Sequence, residues 1–167
     1  QLRSDGITSK IEESPVGESQ SNGEVENAIK RIPGYFRTIK TYIETKLKFK
    51  VTEDHMIIPW LIKHSAATLN RFNIGKDGYT PRQRIRGRKF RGLYADFGEN
   101  IWYLKPQSKG KDKIGESRWE EGIWLGIRDE SGETRVGTKE GVIKVRTIRR
   151  KASEAEKWDL DKFNELK

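Results

Sequence analysis

The chain has 167 residues, which is enough for one ordinary domain or two small ones. Its 34 Lys and Arg outnumber its 25 Asp and Glu, and the net charge of +9 favours polyanionic partners such as nucleic acid or an anionic membrane surface. With no Cys and only two His, the composition excludes a disulfide framework and a zinc site built on thiolates or mainly on imidazoles, so any metal is expected on carboxylates, which suits Mg²⁺ or Mn²⁺.

The first residues carry no signal for export or membrane insertion. They lack the basic-then-apolar layout of a signal peptide, and no run of about 18 apolar residues occurs in the chain. We therefore expect a soluble protein that is neither secreted nor membrane-spanning. The start at Gln1, in polar sequence with no obvious strand, indicates a fragment or a processed product.

A helix is expected to begin near Gly23. Residues 14–22 (SPVGESQSN) are rich in small polar residues, which predicts a loop whose end caps a helix. Pro33-Gly34 falls inside the helical pattern that follows and predicts a kink or two abutting helices, because Pro removes one intrahelical hydrogen bond. Apolar residues recur there at steps of three and four, the period of one buried face: Val25, Ala28, Ile29, Ile32, Phe36, Ile39, Ile43 and Leu47.

A second amphipathic helix is predicted to end before Gly75 and the turn at residues 77–78. His64 lies on its apolar side, and we interpret it as a core histidine with an internal hydrogen bond rather than as a catalytic residue. The apolar side comprises Ile57, Trp60, Leu61, His64, Thr68 and Phe72.

Beyond residues 80–81 the pattern becomes basic and then β-like. Residues 82–91 (RQRIRGRKFR) carry six positive charges. Short β-like runs follow, separated by Gly-rich or charged turns, and their spacing predicts a small barrel: residues 100–104, 122–127, 134–136 and 142–145. The tail from Ala152 is consistent with a short packed helix or a frayed end.

The aromatic residues of these runs have two interpretations. Tryptophans that alternate along strands are usually core, so we assign most of them to the core, and contact with DNA is the alternative. The residues concerned are Trp102, Tyr103, Trp119 and Trp124.

Among the acidic residues, Glu26 is distinguished by its position one turn into the first helix and off the apolar stripe. Lys30, Arg37 and Lys40 fall near the same helix face, provided that the kink at Pro33 is small. A carboxylate flanked by cations can bind a metal while the cations hold a phosphate backbone. The alternative is an ordinary solvated face with a weak i,i+4 ion pair.

Residues 15–26 (PVGESQSNGEVE) resemble a segment of retroviral and copia-like integrases. In that family a Pro, a Gln- and Ser-rich loop, and Asn-Gly or Gln-Gly precede the third acidic residue of the D,D-E triad, which opens a long helix. Glu26 takes the matching position, and Glu24 does not. The resemblance thus implies that Glu26 is the third acidic residue and a metal ligand, and that Asn22 contacts DNA.

The resemblance continues in the same order along roughly residues 11–150. Trp60 and the Ala-rich stretch ending in Asn70-Arg71 are similar to the last helices of the integrase core. The remaining matches follow in sequence: Thr-Pro at residues 80–81, Phe-Gly at 97–98, the Gly-x-Phe-Leu-Gly strand at 122–126 and the final strand at 142–150. Their shared order is more specific than any one of them.

The resemblance implies an α/β fold with several parts. Residues 1–81 would be the C-terminal part of a ribonuclease-H-like core, mostly helical here, and residues 82–96 a basic linker. Residues 97–150 would form a small SH3-like β-barrel, and residues 151–167 a helical tail.

The implied chemistry is polynucleotidyl transfer by two metal ions, Mg²⁺ or Mn²⁺, held by three converging carboxylates in the complete core. Asp5, in an Arg-Ser-Asp triplet, resembles the second carboxylate, but it precedes Glu26 by only 21 residues, a shorter spacing than in the family. Either a segment has been lost, or residues 1–9 end a helix that precedes the Ile11 region, which we favour. The first acidic residue is absent under both interpretations, so the chain alone is predicted to be inactive.

The implied function is DNA integration or transposition, so DNA is the expected partner. The chain is also expected to associate either with itself or with the remainder of a longer polyprotein. Action is expected in the nucleus after synthesis in the cytoplasm. A non-catalytic nucleic-acid-binding module and, less favoured, a protein-interaction module remain alternatives. The basic segment is expected to contact phosphates, or else to be a solvated linker or a nuclear-import signal. Its cations are Arg82, Arg84, Arg86, Arg88, Lys89 and Arg91.

Overall fold

The computed structural model describes residues 23–92, 95–105 and 117–167. The chain divides into two compact units, Gln1–Arg31 and Ile32–Lys167. Within the described ranges, no helix is long and apolar enough to cross a membrane.

One long helix, α1 (Gly23–Leu47), begins where the loop-to-helix pattern predicts. Pro33 lies inside this single helix, so the expectation of two abutting helices is wrong. Proline removes only one intrahelical hydrogen bond, and a helix of 25 residues retains many others.

The apolar stripe of α1 is buried only towards the end of the helix. Ile43 and Leu47 belong to the core, whereas Ala28 is exposed and Ile29 is 59% exposed, so the expected burial is wrong at those two positions. A helical period selects one face, but burial also needs a packing partner, which the described residues of Gln1–Arg31, all in the helix, do not supply. The side chain of Val25 lies outside the described part. The partly buried positions of the stripe are Ile32, Phe36 and Ile39.

The second predicted helix is confirmed as α2 (Ile58–Phe72), and a short helix, α3 (Pro81–Arg86), follows it. Leu61, His64 and Leu69 of α2 are buried, whereas Phe72, which was also assigned to the apolar side, is 49% exposed, so the expected burial is wrong at that position. Thr80 caps α3 in a reciprocal arrangement, because its hydroxyl accepts a hydrogen bond from the Gln83 backbone N–H while the Gln83 side chain accepts one from the Thr80 N–H. The first part of the basic segment is therefore helical.

Five antiparallel strands form one sheet in the order β4-β3-β2-β1-β5. All four predicted runs are strands, because their alternating and β-branched residues suit a half-buried pleat. The strands are β1 (Asn100–Leu104), β2 (Trp119–Ile127), β3 (Thr134–Thr138), β4 (Gly141–Val145) and β5 (Ile148–Arg150).

The sheet is open, so the prediction of a small closed barrel is wrong. Closure would require β4 to pair with β5, but β4 pairs with β3 and the three-residue β5 pairs with β1. Among the described strands, the two outer ones therefore end the sheet. Strand periodicity gives no information on whether the two outer strands meet.

The core of Ile32–Lys167 lies where one face of the sheet meets the end of α1, α2 and the tail. Trp124 is fully buried and Tyr103 nearly so, as expected for core aromatics, whereas Trp102 and Trp119 remain partly exposed. The tail contains two short helices, α4 (Glu154–Lys157) and α5 (Leu160–Asn164), and contributes Phe163 to the core. The chain is thus a mixed α/β protein.

Candidate nucleic-acid interface

Glu26 lies on an exposed part of α1 within the unit Gln1–Arg31. Its side chain is about half exposed, and its Oε2 is 4.0 Å from Nζ of Lys30, which is itself largely exposed. An exposed i,i+4 pair at this distance is weak, so the carboxylate keeps lone pairs available for another ligand. Asp5 and Asn22 lie outside the described residues.

Two further candidate cations of α1 lie in the unit Ile32–Lys167 and differ in their engagement. Arg37 is exposed, whereas Nζ of Lys40 donates a 2.6 Å hydrogen bond to Oε1 of Glu44. The same carboxylate accepts a hydrogen bond from the Val51 backbone N–H, and these contacts, that of Lys40 first, lower the pKa of Glu44. Lys40 is therefore committed to a structural contact.

The described residues do not make a two-metal site by themselves. Within residues 23–92, 95–105 and 117–167, no three His, Asp or Glu side chains are grouped as metal ligands. Glu26 offers the oxygen donor that Mg²⁺ prefers, but a two-metal centre requires several converging carboxylates. No catalytic step follows from the described residues alone.

The first two arginines of the basic segment are paired with carboxylates. Arg84 donates hydrogen bonds of 2.8 and 2.6 Å to the two oxygens of Asp77 and, as the largest cause, lowers the pKa of that carboxyl to about 2. Arg82 is only 15% exposed, with its Nε 3.7 Å from Oδ1 of Asp129. Contact of either arginine with an external phosphate would compete with these ion pairs.

Phe90, within the basic segment, lies against Arg82 of α3 and Arg71 of α2. The guanidinium carbon of Arg71 lies 4.5 Å from the centre of the Phe90 ring, and that of Arg82 lies 4.9 Å from it. The Arg71 side chain is completely buried and bonds Oδ1 of Asp129 at 2.8 Å and the carbonyl of Ile127 at 2.6 Å. We call Arg71, Arg82, Phe90 and Asp129 the clamp, because it fixes residues 82 and 90 near the end of β2.

Four cations project between and beyond the clamped positions. Gly87 ends α3 with a left-handed φ of 68°, a conformation that glycine adopts without strain, and turns the chain there. An Nη1 of Arg82 donates to the carbonyl of Arg88, which holds this turn against the clamp. The four exposed cations, none with a carboxylate partner within the described part of the chain, are Arg86, Arg88, Lys89 and Arg91.

His64 belongs to the core, as predicted, and has no role at this surface. Its ring is buried, stacks on Phe97 at 4.8 Å and meets Trp124 edge-on. Burial first, and the positive charge of Arg71 second, lower the pKa of His64 to about 4, so the imidazole is neutral at pH 7. Its Nε2 lies 3.4 Å from the Thr68 hydroxyl, and its buried Nδ1 has no hydrogen-bond partner among the residues that the structure describes.

The clamp was not identified from the sequence. Asp129 follows a strand and lies 58 residues from Arg71, so no local spacing links the two. The only sequence signal was Phe90, an aromatic residue in an otherwise basic run. An apolar ring among cations favours a packed anchor, because a fully solvated loop gains nothing from it.

The fold and these residues define a mixed α/β protein with an exposed cationic loop. A scan against protein-family models gives no match, and a search of curated proteins finds no significant similarity.

Proposed function

We propose that the chain binds DNA as part of a retrovirus-like integrase, with the exposed cations at residues 86–91 as its principal phosphate contacts. The observation that carries this proposal is the division within the basic segment: Arg82 and Arg84 lie against carboxylates at one end, while four cations remain exposed and without carboxylate partners in the described part. Closely spaced cations on an anchored turn suit adjacent phosphates, because less of the loop must be ordered on binding.

The integrase assignment rests on the ordered motif resemblance. Glu26 is exposed near the start of a 25-residue helix, which is compatible with the third acidic residue of the family. Five short antiparallel strands after a basic segment are compatible with an SH3-like post-core domain in an open form. In this proposal residues 1–81 are the end of a ribonuclease-H-like core that acts in the nucleus with the rest of a polyprotein.

The binding proposal is tested with a labelled DNA duplex and the purified chain, by fluorescence anisotropy over a range of salt concentrations. Each phosphate contact contributes about 0.9 to the slope of log affinity against log salt, so four contacts predict a slope of roughly −3 to −4. Binding that is insensitive to salt would contradict the proposal and favour a protein-interaction module.

A matched pair of variants locates the contact. Arg86→Gln with Arg88→Gln removes two exposed cations, and we expect about 10-fold weaker DNA binding at about 100 mM salt. Lys48→Gln with Lys50→Gln removes two exposed cations at the same spacing in the α1-α2 connection, and we expect little change. Equal losses in the two variants would show that only net charge matters.

The catalytic part of the proposal has its own test. The purified chain with Mg²⁺ or Mn²⁺ should neither cut nor join DNA, and robust strand transfer by it would show that the carboxylates have been misassigned. In the parent polyprotein, Glu26→Ala should abolish strand transfer while DNA binding is retained.

The lack of a grouped metal-ligand set among the described residues favours a second candidate, a non-catalytic nucleic-acid-binding module. Unchanged activity of the Glu26→Ala polyprotein would support that candidate.

A further inference from the structure

A second cationic surface combines residues of α2 with residues of β3 and β4. Arg135 of β3 and Lys144 of β4 are directly opposite each other in the antiparallel register. Their neighbours Thr134, Val136 and Val145 are buried. Two cations are thus adjacent on one face.

Trp60 connects these strands to a third cation. Its ring centre lies 4.7 Å from Nζ of Lys63, on the same helix, and 5.8 Å from the guanidinium carbon of Arg135. Lys63 and Lys144 are exposed, while Trp60 and Arg135 are partly buried. We call Trp60, Lys63, Arg135 and Lys144 the Trp60 surface.

The positive charge of the Trp60 surface is only partly offset by the described residues, because Glu130 and Asp129 attract Arg135 without forming an ion pair with it. Lys63, Arg135 and Lys144 form no ion pair there, since the nearby Asp129 bonds Arg71 and Glu130 lies 3.4 Å from Arg128. Burial lowers the pKa of Arg135, and the charge of Arg128 lowers it further.

Like charges placed directly opposite each other across a strand pair destabilise a sheet. The arrangement at Arg135 and Lys144 therefore has a folding cost that an external anion would remove. Thr134, the residue before Arg135, pairs with Ile127, whose carbonyl accepts a hydrogen bond from Arg71, so the Trp60 surface lies near the clamp. A long polyanion that contacts residues 86–91 could therefore also contact the Trp60 surface.

We propose that the Trp60 surface is a second phosphate-binding surface for DNA, used in addition to the exposed cations at residues 86–91. This inference rests on the proposed DNA-binding function. Lys144 and Arg135 contact phosphates, and Trp60 holds the side chains of Arg135 and Lys63 in place.

Lys144→Gln is the most informative variant. It removes one cation and one like-charge contact without removing a described hydrogen bond, so the free energy of unfolding should stay constant or rise. DNA affinity should fall several-fold, and the salt slope should decrease in magnitude by about 1. If Lys144 only supported the fold, its substitution would lower both the free energy of unfolding and the DNA affinity.

Lys139→Gln supplies the matched control, because Lys139 is an exposed cation on the turn of the same β3-β4 hairpin but outside the Trp60 surface. We expect Lys139→Gln to bind DNA like the unchanged chain. The double variant Arg135→Gln with Lys144→Gln should lose more affinity than Lys144→Gln, and urea unfolding verifies that it folds.

The outcomes separate this inference from the proposed function. If Arg86→Gln with Arg88→Gln weakens binding while Lys144→Gln binds like Lys139→Gln, the Trp60 surface is not a DNA contact and the proposed function stands. If the unchanged chain shows no salt-dependent binding, both fail. If Lys144→Gln binds DNA more weakly than Lys139→Gln and keeps its stability, the inference is supported.

Discussion

Arg82 and Arg86 lie one helical turn apart in α3 but have opposite surroundings. Arg82 is largely buried against Phe90 and Asp129, whereas Arg86 is exposed and has no carboxylate partner in the described part of the chain. An arginine side chain therefore supports the fold at position 82 and is an available cation at position 86. Charge counts alone cannot separate these roles, because the difference lies in which cations the fold neutralises.

The largest expected effect on stability tests the internal role of the clamp. Asp129→Asn leaves the completely buried Arg71 guanidinium without its carboxylate, and because Asp129 itself is 36% exposed, the loss of unfolding free energy should lie at the low end for such pairs, at about 3 kcal/mol. Urea unfolding measures the loss. Asp77→Asn is the matched control, because it breaks the exposed pair with Arg84 and should change stability little. Similar losses in both variants would contradict the distinction.

The next effect concerns His64, which lies beside Arg71. Its folded pKa of about 4 is below the ordinary value of 6.5, so the unfolded chain takes up this proton first as the pH falls. Stability should therefore be lost between pH 6.5 and about 4, by up to about 3 kcal/mol. Urea unfolding at several pH values measures this loss, and His64→Gln should remove this part of the pH dependence. An unchanged pH profile in the variant would refute the assignment.

Phe90→Leu tests whether the clamp positions the exposed cations. The substitution keeps an apolar side chain but removes the aromatic face from Arg71 and Arg82, which should cost about 1 to 2 kcal/mol of stability. DNA affinity should also fall, because the loop at residues 86–91 loses its anchor. Unfolding and anisotropy measurements test both effects, and full DNA affinity in a destabilised variant would show that the anchor is unnecessary for binding.

The smallest effect on stability is expected for the exposed cations at residues 86–91. Arg86→Gln with Arg88→Gln removes no described side-chain ion pair, so the free energy of unfolding should change by less than about 0.5 kcal/mol. DNA affinity should nevertheless fall more than in any clamp variant. A large loss of stability here would mean that these arginines support the fold and would remove the contrast with Arg82.

Much of the secondary structure could be predicted from the sequence. The helix of Ile58–Phe72 has a clear period because it buries one face, and the strands are recognisable as short apolar runs between turn residues. The same reasoning was wrong at Ile29, since periodicity marks an apolar face without showing what covers it. It was also wrong about barrel closure, which depends on whether strands distant in the chain pair at the edges.

For the candidate interface, the sequence by itself determined the number of cations in residues 82–91, the position of Glu26 near a helix start and the core location of His64. These follow from composition and from local periods of three to four residues. Only the tertiary structure decided which arginines are neutralised and which are exposed. The reason is physical: the neutralising carboxylate, Asp129, comes from the end of a strand 58 residues beyond Arg71, and only folding brings the two together.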